Sequence, residues 1–310
     1  MDKFIAIIFS VSFGYAVLRV TTPLIFAAMG ALISDKAGVI NIALEGIMLI
    51  AALTGVIVSA FTQSAFLGLM AAVLAGALTG AVMAYASLNL KTDIILSGVA
   101  VNLIGAGGTV FVLYLVAHDK GISSSLSSLV LPKVALPIIS QIPVISDILS
   151  GHNILTYVAI ISVVVVHILV YKTPLGLQIR AVGENSHAAD SVGVSVIRIK
   201  YIALILSGAF AGFGGAYMSM GYVSWFSKNM TVGRGFIALA AEAMGGGTPL
   251  GTTIACFVFG SAEALSNSLQ SLRVPTEFVQ MIPYVVTVVG LALYSSRKTS
   301  QIRKHLKNRG

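Results

Sequence analysis

Apolar runs long enough to cross a bilayer follow one another through most of this chain, and that pattern limits its fold more than any motif does. Neither residues 65–88 nor Ile94–Ala117 include a charged side chain. A span needs roughly 20 apolar residues, and inside hydrocarbon every backbone group must find its partner within the protein. Helices meet that demand locally. Of the 310 residues, 57% are hydrophobic and 10% charged, against about 25% charged in soluble domains. The chain reads as an all-α polytopic membrane protein, a single transmembrane domain over residues 1–310. Its 31 glycines suit helices that approach one another closely. The lone Cys256 lies in an apolar run, so no disulfide framework is expected.

Residues 4–18 are apolar but short for a span, and 20–33 form the next run, with Pro23 near its start, where a missing N–H costs little. A polar interruption, 34–46, precedes spans at 44–61, 65–88 and 94–117. Residues 118–152, with five serines between 123 and 128 and prolines at 132, 137 and 143, read as an irregular extracytoplasmic loop with a short surface helix. Spans at 154–171 and 201–223 flank a basic stretch, 172–200. A short segment at 233–244, a Gly-Gly-Gly-Thr-Pro break, and spans at 250–269 and 279–294 complete about ten transmembrane or broken helices. No cationic n-region opens the chain, so no cleavable leader is expected.

Charge sets an expected orientation. The net charge is +8, and its cations crowd 172–200 and the tail, 296–310. Placing both in the cytoplasm, with Lys3, Lys36 and Lys91, leaves Arg19, Lys120, Lys133, Lys228 and Arg273 outside. The bias predicts a multi-pass membrane protein, in contact with lipid, both ends cytoplasmic. Cations so placed read as membrane anchors, and no nucleic-acid partner is expected.

Two interrupted segments echo each other. Residues 40–46, INIALEG, resemble 235–242, GFIALAAE. In a ten-helix count they are the third and eighth segments, an odd offset that implies a 5+5 inverted repeat. Interrupted segments at matching positions point to a midplane pathway. Ionisable groups within spans mark such pathways or pair with one another, so Asn41, Glu45, Asn102, Arg234 and Glu242 are candidate path residues for a small solute. Structural pairing of the acids, and helix-to-helix bonding by the asparagines, are the competing readings.

Enzyme chemistry finds little support. Nothing matches G-x-x-x-x-G-K-[ST] or H-E-x-x-H, and the histidines at 118, 152, 167, 187 and 305 are scattered. No cofactor, metal or catalytic residue is expected. The basic stretch carries a different signal. Asn185 suits a helix N-cap, 186–192 supply about two turns, and Gly193 suits the left-handed position past a helix end. Such a helix spans nothing; it reads as a docking knob.

The stretch PLGLQIRAVGENSHAADSVGVSVIRIKYIALILSGAFAGFGGAYMS resembles the cytoplasmic loop and following span of ABC-importer permeases of the ribose and branched-chain amino-acid type. Gly176, Arg180, Ala181, Gly183, Asn185, Ala188, Ala189, Gly193, Lys200, Ser207 and Gly208 carry the match. TPLIFAAMGALISDKAGVINIALEGIMLIAA and GRGFIALAAEAMGGGTPLG resemble the purine-nucleoside branch, although Asp35-Lys36-Ala37-Gly38 stands where that branch usually has Glu-Arg-Ser-Gly. The resemblance implies a pathway of two permeases, cytoplasmic ATPase subunits, and an external lipoprotein delivering solute. The coupling helix would lie at 185–192, with Arg180, Gly183, Glu184, Asn185, His187, Ala188, Ala189 and Gly193 as its ATPase-facing set. Riboflavin or a sugar is the alternative solute, and an ion-coupled secondary transporter the rival class.

Overall fold

A computed structural model describes residues 10–135 and 143–270, together with 285, 288, 290 and 292. The expected span at 279–294, beyond those four positions, and the basic tail lie outside the described residues. Helix α1 (Val11–Lys36) opens under the Ser10 hydroxyl, which accepts from Phe13 N at 3.1 Å. After a break at 37–43 come α2 (Leu44–Thr62), α3 (Ala65–Ala84) and α4 (Ile94–Ala117), with a single π-turn, Tyr85–Asn89, finishing α3. The long loop holds a short antiparallel pair, β1 (Lys133–Val134) with β2 (His152–Asn153), and the surface helix α5 (Pro143–Leu149). Then follow α6 (Ile154–Lys172), α7 (Pro174–Glu184), α8 (Ser186–Ser191) and α9 (Val196–Tyr217), which runs into a π-turn, Met218–Tyr222. Half-length α10 (Arg234–Met244) and α11 (Pro249–Gln270) complete the described part.

Six of the described helices, counting the π-turns with α3 and α9, are long and apolar enough to cross a membrane. α1 is the axis of the bundle: every residue from Val20 to Ser34 is buried, and α6, α9, α10 and α11 pack around it. α3 and α9 press together through glycines, a Cβ at Gly208 falling 2.3 Å from Gly76 O. The outer faces of α3 and α4 stay apolar and exposed, as at Phe66, Leu78, Leu103 and Phe111. That is the surface hydrocarbon or a partner helix would cover.

Two expectations are corrected here. Residues 11–18 and the run at 20–33 form one helix through Arg19, and Pro23 sits well inside it rather than near its start. The helix absorbs both. Arg19 Nη2 donates to Tyr222 O at 2.6 Å, and its guanidinium lies 4.2 Å over the Tyr222 ring. Pro23 cannot donate to the carbonyl four residues back, which is that of Arg19, and Tyr217 OH donates to that oxygen instead, at 3.0 Å. Val11–Lys36 is therefore one continuous helix, and its start lies at the opposite end of the bundle from Lys36.

The two ends of the bundle are distinct. The upper end carries the 118–153 region: Tyr15 OH donates to Gly151 O at 3.1 Å, and the Ser59 hydroxyl at the end of α2 accepts from Leu129 N at 3.0 Å. The lower end carries α7 and α8.

Candidate functional site

The chain breaks twice inside the bundle, at 37–43 and at 223–233, and each break ends at the N-terminus of a helix. A helix start leaves N–H groups without partners, a heavy cost away from water. The side chains around the breaks meet that need. Asn41 Oδ1 accepts from Ala43 N at 3.1 Å, and its Nδ2 donates to Ser207 Oγ on α9 at 2.8 Å. Asn102, on α4, accepts from Gly46 N at 2.7 Å and donates to Ile42 O at 2.9 Å. Both amides hold the start of α2.

Glu45 turns the other way. It lies in the first turn of α2, 7% exposed, and its carboxylate faces the start of α10. Oε1 accepts from the Thr231 hydroxyl and from Gly233 N at 2.8 Å; Oε2 accepts from Gly235 N at 2.7 Å. A negative charge at a helix N-terminus is also favoured by the helix dipole. The approach is close enough to require glycine, because a Cβ at Gly235 would fall 2.4 Å from Glu45 N. α2 and α10 thus meet N-terminus to N-terminus and run to opposite ends of the bundle.

The sequence echo marked both starts correctly. It did not align the acids: Glu45 is in the first turn of α2, whereas Glu242 is in the last turn of α10. Arg234 pairs with Glu263 on α11 and donates through Nη1 to Met230 O and Thr231 O, both at 3.2 Å. Among the described residues Glu45 has no arginine or lysine partner; three donors satisfy it.

Glu242 belongs to a lower-end cluster. A Cβ on Gly247 would lie 2.6 Å from Lys36 Nζ and 3.5 Å from Glu242 Oε1. Asp35 is a charged neighbour of the Glu242 carboxyl. Gly246 and Gly247 both take left-handed φ, +65° and +63°, and Tyr171 OH donates to Gly247 O at 3.4 Å. Lys36 and Asp35 were legible only as part of a polar interruption; their nearness to Glu242 needs the fold.

At the same end, α7 begins with the Thr173 hydroxyl accepting from Gly176 N at 3.1 Å, and Pro174 at its first position suits a helix start. Arg180 Nε donates to Val170 O at 3.1 Å, with the guanidinium 5.3 Å from the Tyr171 ring centre. Gly183 is helical. Its missing side chain matters because a Cβ there would fall 2.2 Å from Lys36 O. Asn185 caps α8 by accepting from Ala188 N at 3.0 Å, and Gly193 closes it at φ +85°. Glu184, His187 and Ala188 are exposed. Ala189, at 4%, is buried within the chain's own fold. Asp35, Lys36, Arg180 and Glu184 border an open cavity of about 470 Å³ beside α7.

The sequence profile of a family described as "Branched-chain amino acid transport system / permease component" matches residues 15–291. The chain belongs to this permease family. It is 35% identical over 295 residues to the guanosine ABC transporter permease protein NupQ of Bacillus subtilis, covering 91% of each chain. It is 34% identical over 285 residues to the nucleoside ABC transporter permease protein NupC of Lactococcus lactis, covering 88% of this chain and 89% of that one. A putative glucose ABC transporter permease protein of Haloferax volcanii, TsgC13, is 34% identical over 261 residues, 83% of this chain and 77% of its own. No solved structure matches. As a member of this family the chain is a multi-pass membrane permease, and the relatives named here are transporter subunits rather than enzymes.

Proposed function

We propose that the chain is one of two permease subunits of an ATP-driven importer for nucleosides in a bacterial cell membrane. End-to-end similarity to nucleoside and guanosine permeases carries the reading. The lower end is cytoplasmic in this proposal, since it holds Lys36, Lys91 and the cations of 172–200, and the C-terminal tail joins it. The start of α1 is then extracytoplasmic, and nine segments cross or enter the membrane, the ninth being the 279–294 stretch. A sister permease completes the pathway, and a solute-binding lipoprotein supplies solute from outside.

In this proposal the inverted repeat takes an altered form. α1 to α4 correspond to α9, α10, α11 and the last span, with α6 between the halves. Matching packing supports it: α9 lies on α3 as α1 lies on α11, and α1 lies on α10 as α9 lies on α2. The offset of five that relates the two breaks is kept, and α2 and α10 point in opposite directions, as inversion requires.

The ATPase docks through α8, with Ala188, His187 and Glu184 as its contact face and Asn185, Ala189 and Gly193 keeping it folded. Gly183 seats α7 on the backbone of Lys36. Lys36 in turn reaches the end of α10, whose 11 residues span roughly 16 Å to the Glu45 junction. A tilt of α7 is thereby passed to the mid-membrane break. Asn41, Asn102 and Glu45 shape the path by holding the break rather than by contacting solute.

A sugar is the second reading, favoured by the glucose-permease relative. The test is uptake by the complex, purified with its partner chains and reconstituted. ATP-dependent uptake of inosine that excess glucose leaves unchanged supports the proposal. Uptake of glucose alone refutes the nucleoside assignment, and uptake driven by an ion gradient without ATP refutes the importer class.

A further inference from the structure

A second cavity, of about 430 Å³, opens at the upper end of the bundle, where the 223–233 break begins and away from α7. It lies where α1 begins, β1 and β2 pair, and α9 finishes in its π-turn. Its size falls in the usual range for small-molecule sites. Among the described residues its lining includes four Tyr and Trp side chains, Tyr15, Tyr217, Tyr222 and Trp225, with Arg19 and Lys133 as the charged groups and no carboxylate.

The walls are fixed in advance. Tyr15 stacks on the His152 ring at 3.9 Å between centroids, and His152 Nε2 lies 2.8 Å from Ile148 O. Burial holds the His152 imidazole below its ordinary pKa, so the ring adds no charge at neutral pH. Asn153 is committed to Leu131 O and Leu155 N. Arg19 is oriented by Tyr222 but spends one N–H on its carbonyl, and a guanidinium has five. Trp225 is 44% exposed, and among the described residues no ring stacks on it.

An open indole accepts a planar ring on its face. Arginine and lysine only donate hydrogen bonds, so they favour ring edges that carry acceptors. The O6 and N7 edge of a 6-oxopurine offers two acceptors to such donors, while a 6-aminopurine turns a donor toward them. We propose that this cavity is a solute-receiving site for 6-oxopurine nucleosides, with Trp225 stacking on the base and Arg19 and Lys133 reading its acceptor edge. The inference rests on the nucleoside reading above and adds the site and the preference among purines.

Trp225 is the chain's one tryptophan and reports on the cavity directly. The full-length chain in lipid nanodiscs should show saturable quenching of its fluorescence by inosine and guanosine, with adenosine at least tenfold weaker and glucose without effect. Arg19→Met should bring inosine and adenosine within about threefold of each other. In the reconstituted importer, Trp225→Ala should raise the KM for inosine about tenfold, the usual scale for losing one base–aromatic stack, while Trp225→Phe restores it and kcat holds. If the wild-type importer carries inosine but no purine moves Trp225 fluorescence, and Trp225→Ala leaves KM unchanged, the cavity is not the site and the nucleoside reading stands. If the importer carries no nucleoside, that reading fails first. Quenching by adenosine as strong as by inosine overturns the edge-reading role of Arg19 and Lys133.

Discussion

Glu45 and Gly235 join α2 and the half-length α10 at their N-termini, the carboxylate of one accepting the backbone N–H of the other at 2.7 Å. The contact explains why an acid can sit inside the bundle. Three donors from 231–235 replace the water that a buried carboxylate loses, and the dipole of α10 adds to them.

Glu45→Gln tests that explanation. A neutral amide keeps one oxygen but sets an NH2 group against donors, leaving at least one buried N–H unpaired, at about 1–3 kcal/mol. The variant should insert and assemble at low temperature, with a lowered unfolding midpoint in detergent. Gly235→Ala should be worse, since its Cβ falls 2.4 Å from Glu45 N. Equal midpoints for wild type and both variants would show that the junction contributes nothing.

The position of this junction was legible in the sequence, and its chemistry was not. Polar residues at 34–46 and the echo at 235–242 mark where helices break, because nothing else in so apolar a chain would interrupt them. Which acid does what depends on where each side chain points, and 40–46 and 235–242 enter their helices at different turns. α1 failed in the other direction. Arg19 looks like a boundary until Tyr222 is seen to receive it, and Pro23 looks like a start until Tyr217 takes up the freed carbonyl.

Orientation can be tested by labelling. Cysteines placed at Ser125 and Ser186 sit at opposite ends of the bundle. In intact cells an impermeant thiol reagent should label Ser125→Cys and miss Ser186→Cys. The reverse pattern would invert the proposed topology.

The two alanines of α8 should behave differently. Ala188 is exposed and Ala189 is buried at 4%. Ala188→Trp should leave the permease folded but block co-purification of the ATPase, because a packed interface cannot absorb the added bulk without strain. Ala189→Trp should unseat α8 itself and lower the unfolding midpoint. Normal ATPase binding by Ala188→Trp would remove α8 as the docking element.

His152 predicts a pH dependence at the upper end. Burial lowers its pKa in the folded chain, so on acidification the unfolded chain takes up the proton first, near pH 6.5. Stability is then full above that value and falls as pH drops below it. The unfolding midpoint should decline between pH 7.5 and 5.5, and His152→Phe, which keeps a ring against Tyr15 without a titrating group, should flatten the decline. Parallel slopes would exclude His152 as the source.

The lower end carries the prediction that bears most on mechanism. Gly183 rests on Lys36, and Lys36 and Asp35 are the charged neighbours of Glu242 at the end of α10. A rigid half-helix held at both ends transmits motion; released at one end, it does not. Lys36→Met or Glu242→Gln should therefore leave the complex assembled, while the amount of solute moved per ATP hydrolysed falls at least fivefold. Loss of a merely structural contact would lower uptake and hydrolysis together. The double variant Lys36→Glu with Glu242→Lys restores opposite charges across the same gap, and it should recover a substantial part of the lost ratio. The measurement is paired uptake and phosphate release in the same proteoliposomes. An unchanged ratio in both single variants would mean that α10 is not the link, and that motion of α7 reaches the break through α1 alone.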